Sequence, residues 1–570
     1  MTAIGVRKTV NMLSLWPLLV NVLAAASAIL AVVAGGASWA LVGPLVVLAL
    51  VLGRQHRTVF RAPKGVGGLG RYLTARYLLL AIGAIQLGLS GLLGVGTTIV
   101  LVLAVAATGV EPVLRSLNGM AVPYAANVPG ATIRNTARFP YGWIFPVNLL
   151  VVLLLILASL APAVLFPVVA VLVVVSLVLA LLALLDVVGR IRTRRAFQAR
   201  LPQTLESMAP VFYVYWHAPP RSAFQVTMWL PYLERLGVPF AIVVRTVGNL
   251  RQLQDATDHP VILRRSIKDL DDLLVPSLRG VFYVNNAMRN NHMVRYKELT
   301  HIQLLHGESD KASSATPVIR MYDLNFVAGQ AAIDRFDTFG VTMPPEIFRI
   351  VGRPQVENVL EARGPIGELA DPSVLYAPTW LGYQAETNYS SLPMGREIVT
   401  ALLDRGCRVV FRPHPYARRA LELREVCDDI VEMLAADARA TGRDHLFGER
   451  AETEMDVVDC FNAADAMISD VSAVVGDFLH SGKPLAMVSP HSAAEEFVEQ
   501  NPMARAAYVL VGKDGALQNL EQVVESLTVT DPRREERLRW STYYLGDIPR
   551  ENYADRFVEV ARAELGLSAR

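Results

Sequence analysis

The stretch ISDVSAVVGDFL, from Ile468 to Leu479, decides the fold. Ala466–Ile468 is a short apolar run of the kind a fully buried strand requires. Ser469, Asp470, Val471 and Ser472 then form a polar turn, and a helix near Ser472–His480 follows. Strand, polar turn and helix in succession are the repeating unit of a parallel α/β sheet. The unpaired amides and the dipole at such a helix start suit phosphate, and the Ser472 hydroxyl adds a donor. Simple N-capping by Ser469, Asp470 or Ser472 satisfies the same spacing. Working outward, three more apolar runs end in polar motifs: YAPTW (Tyr376 to Trp380), FRPHP (Phe411 to Pro415) and LLHGESDK (Leu304 to Lys311). Open α/β sheets gather their ligands at that carboxyl edge.

The same alternation extends on both sides. Predicted strands run over Val211–Trp216, Phe240–Val244, Val261–Leu263, Val281–Val284, Ile302–Leu305, Leu324–Val327 and Phe348–Val351. A second series comprises Val374–Tyr376, Arg408–Phe411, Ala466–Ile468 and Leu485–Val488, with helices near Gly395–Leu403 and Arg418–Ala438. These form two Rossmann-like lobes, residues 199–365 and 366–570, facing each other across a cleft. The segment after Asp531 is helical, with Trp540, Tyr543 and Tyr544, and is expected to cross back onto the first lobe.

The motifs supply chemistry. His306 follows a strand and precedes Gly307, where a ligand can approach the backbone; it reads either as a general base or as a hydrogen-bonded strand-end histidine. Glu308 and Asp310 are placed to orient it. Arg412 and His414 leave a turn stiffened by Pro413 and Pro415, and arginine's planar fork suits phosphate oxygens. Thr379 and Trp380 follow the Tyr376 strand, where Trp380 either stacks on a base or sugar or packs between lobes. His217, Pro219, Pro220 and Arg221 follow the first strand and are assigned to the acceptor side.

The first 198 residues differ in kind. The 570-residue chain is 52% hydrophobic, and its apolar residues concentrate here. Candidate spans are Leu13–Ala34, Ser38–Leu52, Leu73–Leu93, Thr97–Leu114, Trp143–Ala161 and Ala163–Val188, each near the ~20 residues a crossing needs. Before Arg190 the only acids are Glu111 and Asp186. Bases fill alternate connections: Arg7 and Lys8; Arg54, Arg57, Arg61, Lys64 and Arg71; Arg115, Arg134 and Arg138; then Arg190 to Arg195. The positive-inside rule puts these in the cytoplasm. The expectation is a six-span, multi-pass protein of the cell membrane with its α/β half cytoplasmic. Glu111 is expected near the interface. Gly65 to Gly70 spells GxGxxG, but it follows a basic loop rather than a strand, so dinucleotide binding lacks its context. A net charge of +2 gives no argument for nucleic acid. Cys407, Cys427 and Cys460 make no disulfide framework or zinc spacing. No cofactor is required; no acidic cluster demands a divalent metal, though one is compatible with the chemistry.

As an ordered set, these motifs resemble the CDP-glycerol glycerophosphotransferases that build teichoic acid. The matching segments are His306-Gly307, Gly352-Arg353-Pro354, Ala377-Pro378-Thr379-Trp380, Arg412-Pro413-His414-Pro415, Ser469 to Ser472 and Lys483-Pro484. In place of the family's Thr-Pro before lysine stand Glu308, Ser309 and Asp310, then Lys311; Gln355 stands where the family has arginine. The six-span block is an addition to the family's soluble domain. The resemblance implies a glycosyltransferase-B-like fold. It implies transfer of a polyol phosphate from a CDP-linked donor to a hydroxyl of a lipid-linked polymer acceptor, releasing CMP. His306 and His414 would then be catalytic, and Arg412, Thr379, Ser469, Asp470, Ser472, Lys311 and Arg353 substrate-binding. Two alternatives remain: a nucleotide-sugar glycosyltransferase on the same fold, and a non-catalytic membrane scaffold with a degenerate transferase domain.

Overall fold

A computed structural model describes residues 3–35, 37–60, 66–138, 140–307, 315–381, 388–513 and 515–568, with side chains from Leu15 onward except over 57–60. The chain divides into two compact units, Met1–Thr204 and Leu205–Arg570. The expected boundary at residue 198 and the observed one both fall inside one continuous helix, Pro162–Met208.

The first unit is helical: α1 (Ala3–Val33), α2 (Val42–Phe60), α3 (Leu73–Leu89), α4 (Val95–Met120), a two-residue strand β1 (Ala125–Ala126), α5 (Ile144–Leu157) and α6 (Pro162–Met208). Its outer surface is apolar; Leu18, Ile29, Val95, Val102, Val171 and Leu185 are all exposed. Its core is apolar too, with a few buried polar groups such as Arg76, Glu111, Asn148 and Ser176 inside it. Among the described residues four helices are long and apolar enough to cross a membrane: Leu15–Val33, Ser38–His56, Val95–Met120 and Pro162–Met208. The expectation of six spans is corrected to four. The chain turns out of helix at Leu89 and Leu157, so α3 has 17 residues and α5 has 14. At ~1.5 Å per residue these cover roughly 26 and 21 Å, short of the ~30 Å hydrocarbon thickness.

Glu111 is also corrected. It lies wholly buried, paired with Arg76 of α3 at 2.9 Å, rather than at the interface. Asn148 of α5 donates to it at 2.6 Å and the Gly70 amide at 2.8 Å. Ser176 of α6 donates in turn to Asn148 at 2.6 Å. A charge held inside apolar helices is tolerable only when paired and hydrogen-bonded. The glycine run thus ends at a turn whose last amide serves an acid of the bundle; Gly65 lies outside the described residues. Described basic residues tie neighbouring connections together. Arg190 donates to Ala121 O at 3.0 Å and to Asn118 at 2.5 Å, Arg194 to Met120 O at 2.5 Å, and Arg115 to Leu69 O at 3.4 Å.

The second unit holds two sheets. Its first lobe has β2 (Phe212–Trp216), β3 (Phe240–Val244), β4 (Val261–Leu263), β5 (Gly280–Tyr283), β6 (Thr300–Gln303), β7 (Leu324–Val327) and β8 (Phe348–Ile350), in spatial order β4-β3-β2-β5-β6-β7-β8. All these pairings are parallel. The run β2 to β5 is buried at every position of β2, β3, β4 and β5, as a sheet covered on both faces demands. From β2 the chain winds to β3 and β4 on one side and then returns to β5 on the other, so the order reverses between β2 and β5. The second lobe has β9 (Ser373–Ala377), β10 (Arg408–Phe411), β11 (Ala466–Ser469), β12 (Leu485–Ser489), β13 (Tyr508–Lys513) and β14 (Ala516–Leu517), ordered β10-β9-β11-β12-β13-β14, with only β14 antiparallel. Here the order reverses between β9 and β11. The expected strands are present, and β13 and β14 extend the second sheet beyond them.

After β14 the chain returns to the first lobe. Helices α7 to α16 connect the strands of the two sheets, α17 follows β14, and α18 (Arg534–Leu545) and α19 (Asp555–Glu564) carry the chain back. Gly329, just after β7, is open enough for the backbone of Tyr543 to pass; a Cβ there would meet the Tyr543 carbonyl at 2.5 Å. Phe557 of α19 packs 5.3 Å from the Trp229 ring and 6.1 Å from Phe326. Arg349 holds Glu564 at 2.5 Å.

Candidate active site

His306 stands just past β6, on the carboxyl side of the first sheet. The chain extends the ladder by one step, Leu304 N donating to Tyr283 O at 2.8 Å. It then turns sharply at Leu305, whose φ of +54° is unusual for a leucine. Trp229 Nε1 holds the Leu305 carbonyl at 2.8 Å, and the Gln303 side chain accepts the Leu305 amide at 3.0 Å. This over-determined turn aims the imidazole.

The His306 tautomer follows from its partners. Nδ1 lies 2.9 Å from the Val284 carbonyl, which can only accept, so Nδ1 carries the proton and Nε2 the lone pair. Gln225 Nε2 is 3.4 Å from that lone pair. The Gln225 amide is itself fixed, because its Oε1 receives Trp216 Nε1 at 3.1 Å and Asn285 Nδ2 at 2.8 Å. Burial lowers the His306 pKa below its ordinary 6.5; the Val284 hydrogen bond opposes this and the Arg353 charge adds to it. The ring is therefore a neutral base at physiological pH, with its acceptor nitrogen defined.

The second lobe brings the other motifs together at its own switch point. Beyond β9 and β10 the two chains stay paired, Arg412 N donating to Tyr376 O at 3.0 Å and His414 N to Pro378 O at 2.9 Å. FRPHP thus lies along YAPTW. The His414 ring sits 6.2 Å from that of Trp380, nearly parallel, and 5.1 Å from Tyr416. His414 Nδ1 accepts the Tyr416 amide at 3.1 Å, so in the neutral ring the proton is on Nε2. His414 offers a donor where His306 offers an acceptor.

The lobes meet at these motifs. A Cβ on Gly307 would lie 3.3 Å from Ala473 Cβ, so α15 (Ala473–Leu479) begins against the histidine-glycine pair. Arg353, at the end of the first lobe, forms a buried two-pronged pair with Asp477 of α15, with Nη2 at 3.1 Å from Oδ2. Its amide also donates to the Tyr553 hydroxyl oxygen at 3.0 Å.

Several predicted substrate-binding residues have internal partners. Asp470 is buried and accepts the amides of Thr379 at 2.6 Å and Ser391 at 3.2 Å. Burial pushes its carboxyl up to about 7 against those hydrogen bonds. Ser469 Oγ donates to Ala377 O at 2.7 Å. Arg412 Nη1 donates to Met455 O at 2.8 Å and to the Ala451 carbonyl, which ties FRPHP to the segment behind it. Lys483 Nζ is buried between the carbonyls of Phe461 and Ala464, each at 2.8 Å. Ser472 is the N-cap of α15 by position but its side chain makes no cap bond. Lys311, Glu308 and Asp310 lie outside the described residues. Among the described residues no group of three or more His, Cys, Asp or Glu is placed to hold a metal. A pocket of about 440 Å³ shares Val471 with the turn but none of the histidines; Asp334, Phe339, Tyr389 and Tyr543 line it.

Sequence reasoning missed Gln225, Asn285, Asp477 and Ser391. Asn285 ends a strand, as His306 does, and that signal could have found it. Gln225 carries no such signal, because its role depends on how two short helices, α7 (Phe224–Thr227) and α8 (Leu230–Glu234), set it under the imidazole.

Residues 355–494 match the family model described as CDP-Glycerol:Poly(glycerophosphate) glycerophosphotransferase. No curated protein matches the sequence. Among solved structures, the wall teichoic acid polymerase TagF is 10% identical, with a TM-score of 0.39 over 67% of this chain and 96% of that one. A UDP-N-acetylglucosamine 2-epimerase is 16% identical, with a TM-score of 0.40 over 63% and 97%. Anabaena Alr3699/HepE in complex with UDP and glucose is 12% identical, with a TM-score of 0.35 over 62% and 99%.

Proposed function

We propose that this chain, which carries a CDP-glycerol:poly(glycerophosphate) glycerophosphotransferase family domain over residues 355–494, moves glycerol phosphate or another polyol phosphate from a CDP-linked donor to a hydroxyl of a lipid-linked acceptor. The observation that carries the reading beyond the family is the pairing of two histidines with opposite ring protonation, one per lobe. His306 Nε2 takes the proton of the attacking hydroxyl. The new bond forms between that oxygen and the phosphorus bearing the polyol, and the bond from this phosphorus to the CMP oxygen breaks. His414 Nε2–H donates a hydrogen bond to the departing CMP phosphate, whose charge grows as it leaves. Phosphoryl transfer depends chiefly on positioning and charge stabilisation, and the pre-oriented rings contribute to both.

Other residues support these two. Asp470 fastens the Thr379–Trp380 loop beside His414, and Arg412 anchors the His414 turn from behind. Arg353 clamps α15 so that the Ser472 hydroxyl and the amides after it face the donor phosphates. The apolar first unit anchors the protein in the cell membrane, with its basic end and the transferase unit cytoplasmic, where the nucleotide donor is made. Incubating the detergent-purified protein with CDP-glycerol and a lipid-linked acceptor should release CMP. Release of UDP or GDP from nucleotide sugars instead would favour a glycosyltransferase, and intact donor after prolonged incubation a scaffold.

A further inference from the structure

The switch point of the first sheet, between β2 and β5, is where ligands of such sheets collect. Four cationic or titratable side chains converge there and none is used by the transfer step above. His217 ends β2, Arg245 ends β3, and Arg289 and His292 follow β5, His292 within α10 (Asn291–Val294). Tyr215 ties two of these segments together: its hydroxyl accepts from Arg245 Nη1 at 2.9 Å and donates to the Arg289 carbonyl at 3.0 Å. Arg245 is 2% exposed. Its other bond, Nη2 to Arg265 O at 3.1 Å, is also to a neutral oxygen, and its Nε has no partner. His292 Nδ1 is buried and unpartnered as well. His217 is fixed by Asn249 Oδ1 at 3.2 Å.

Among the described residues none of these four side chains forms an ion pair. The carboxylates nearby are engaged elsewhere: Asp271 with Arg295 at 2.7 Å, and Asp269 with the Ser266 amide at 3.1 Å. Burial lowers the pKa of both histidines, and the charges of Arg245 and Arg289 lower them further. A buried cation without a counter-charge is costly, and like charges gathered at one sheet edge repel. An anion with several oxygens relieves both costs, and arginine forks suit phosphate in particular.

We propose that His217, Arg245, Arg289 and His292 form a second anion site that binds a phosphate or diphosphate group of the acceptor. As a statement about the acceptor it rests on the transfer reading above. The donor phosphates occupy the other lobe, so this site would hold the nucleophile's carrier in register with His306.

The test uses the full chain in nanodiscs, with CDP present to fill the donor site and inorganic pyrophosphate as the titrant. Arg289→Gln should weaken pyrophosphate binding on the order of tenfold, as one lost charge-assisted hydrogen bond implies. Arg245→Gln should do the same, and Arg289→Lys should retain much of the affinity. In the transfer assay Arg289→Gln should raise the KM for acceptor while kcat and the CDP affinity stay near wild type. Arg289 is only half-buried, so its variants keep the test open even if Arg245→Gln fails to fold. Competition by phosphatidic acid in the nanodisc supports a membrane-borne phosphate, and its absence supports one farther along a soluble chain. Equal pyrophosphate affinity in wild type and Arg289→Gln overturns the site while leaving the donor reading intact. Absence of CDP binding removes the transfer reading, whereas loss of pyrophosphate binding in Arg289→Gln would still establish the anion site.

Discussion

At the scale of single residues, the proposed chemistry depends on which ring nitrogen carries a proton. Val284 and Gln225 fix His306 as an acceptor; Tyr416 fixes His414 as a donor. Replacing His306 by alanine should lower kcat by about 10²–10⁴, the usual contribution of a general base, with donor affinity retained; single-turnover kinetics and calorimetry together check this. In that proposed role His306 should also set the acid limb of the rate profile. On the proposed mechanism, activity should be lost as pH falls through the His306 pKa, which burial places below 6.5. Gln225→Glu puts a carboxylate beside Nε2, favours the imidazolium and raises that pKa, so the acid limb of kcat/KM should move to higher pH. A limb that stays in place would remove Gln225 from contact with the base. His306 and His414 were legible as strand-end residues in polar motifs, but their tautomers were not, because the groups that decide them come from remote segments. The sequence also could not show that Arg412, Ser469 and Asp470 spend hydrogen bonds on their own lobe: a polar residue in a turn looks the same whether it faces a ligand or the backbone behind it.

At the scale of elements, apolar runs bounded by turn residues placed the strands well, since a strand buried on both faces cannot be anything but apolar. Strand β13 alternates buried and half-buried positions near the sheet edge, a weaker pattern, and fell outside the expectation. Helix length in the first unit was less legible. Hydropathy continues through Ser90–Leu93 and Ala158–Ala161 where the helix has already ended, so composition alone overestimated two spans. Glu111 was misplaced for a related reason: its partner Arg76 is 35 residues away and comes into reach only when α3 packs on α4. The charge asymmetry of the loops in the sequence gives a testable orientation. A cysteine at Gly35 should react with an impermeant maleimide added outside intact cells, whereas cysteines at Gly119 and Arg192 should react only after permeabilisation. The reverse pattern would put the transferase unit on the wrong side for a nucleotide donor.

At the scale of the whole molecule, the second unit is closed by its last helix rather than by its own first half. Phe557 fills the space between Trp229 and Phe326, and Leu565 lies against Gly280 at the start of β5. Phe557→Ala should cost about 3–5 kcal/mol, as for other buried aromatics, and hydrogen exchange should report the loss in the first lobe around Trp229 and Phe326, not in the second. Equal loss in both lobes would mean that they unfold as one. This return of the chain also bears on how the protein is made. The ribosome completes the apolar helices first and the first-lobe strands next, but about 205 residues still separate the end of β8 from the start of α19 at the slow pace of synthesis. Until α19 has been made, the face of the first lobe around Trp229 and Phe326 that it covers lies open. The same Trp229 holds the Leu305 carbonyl ahead of His306, so the packing behind that turn is finished only when α19 docks.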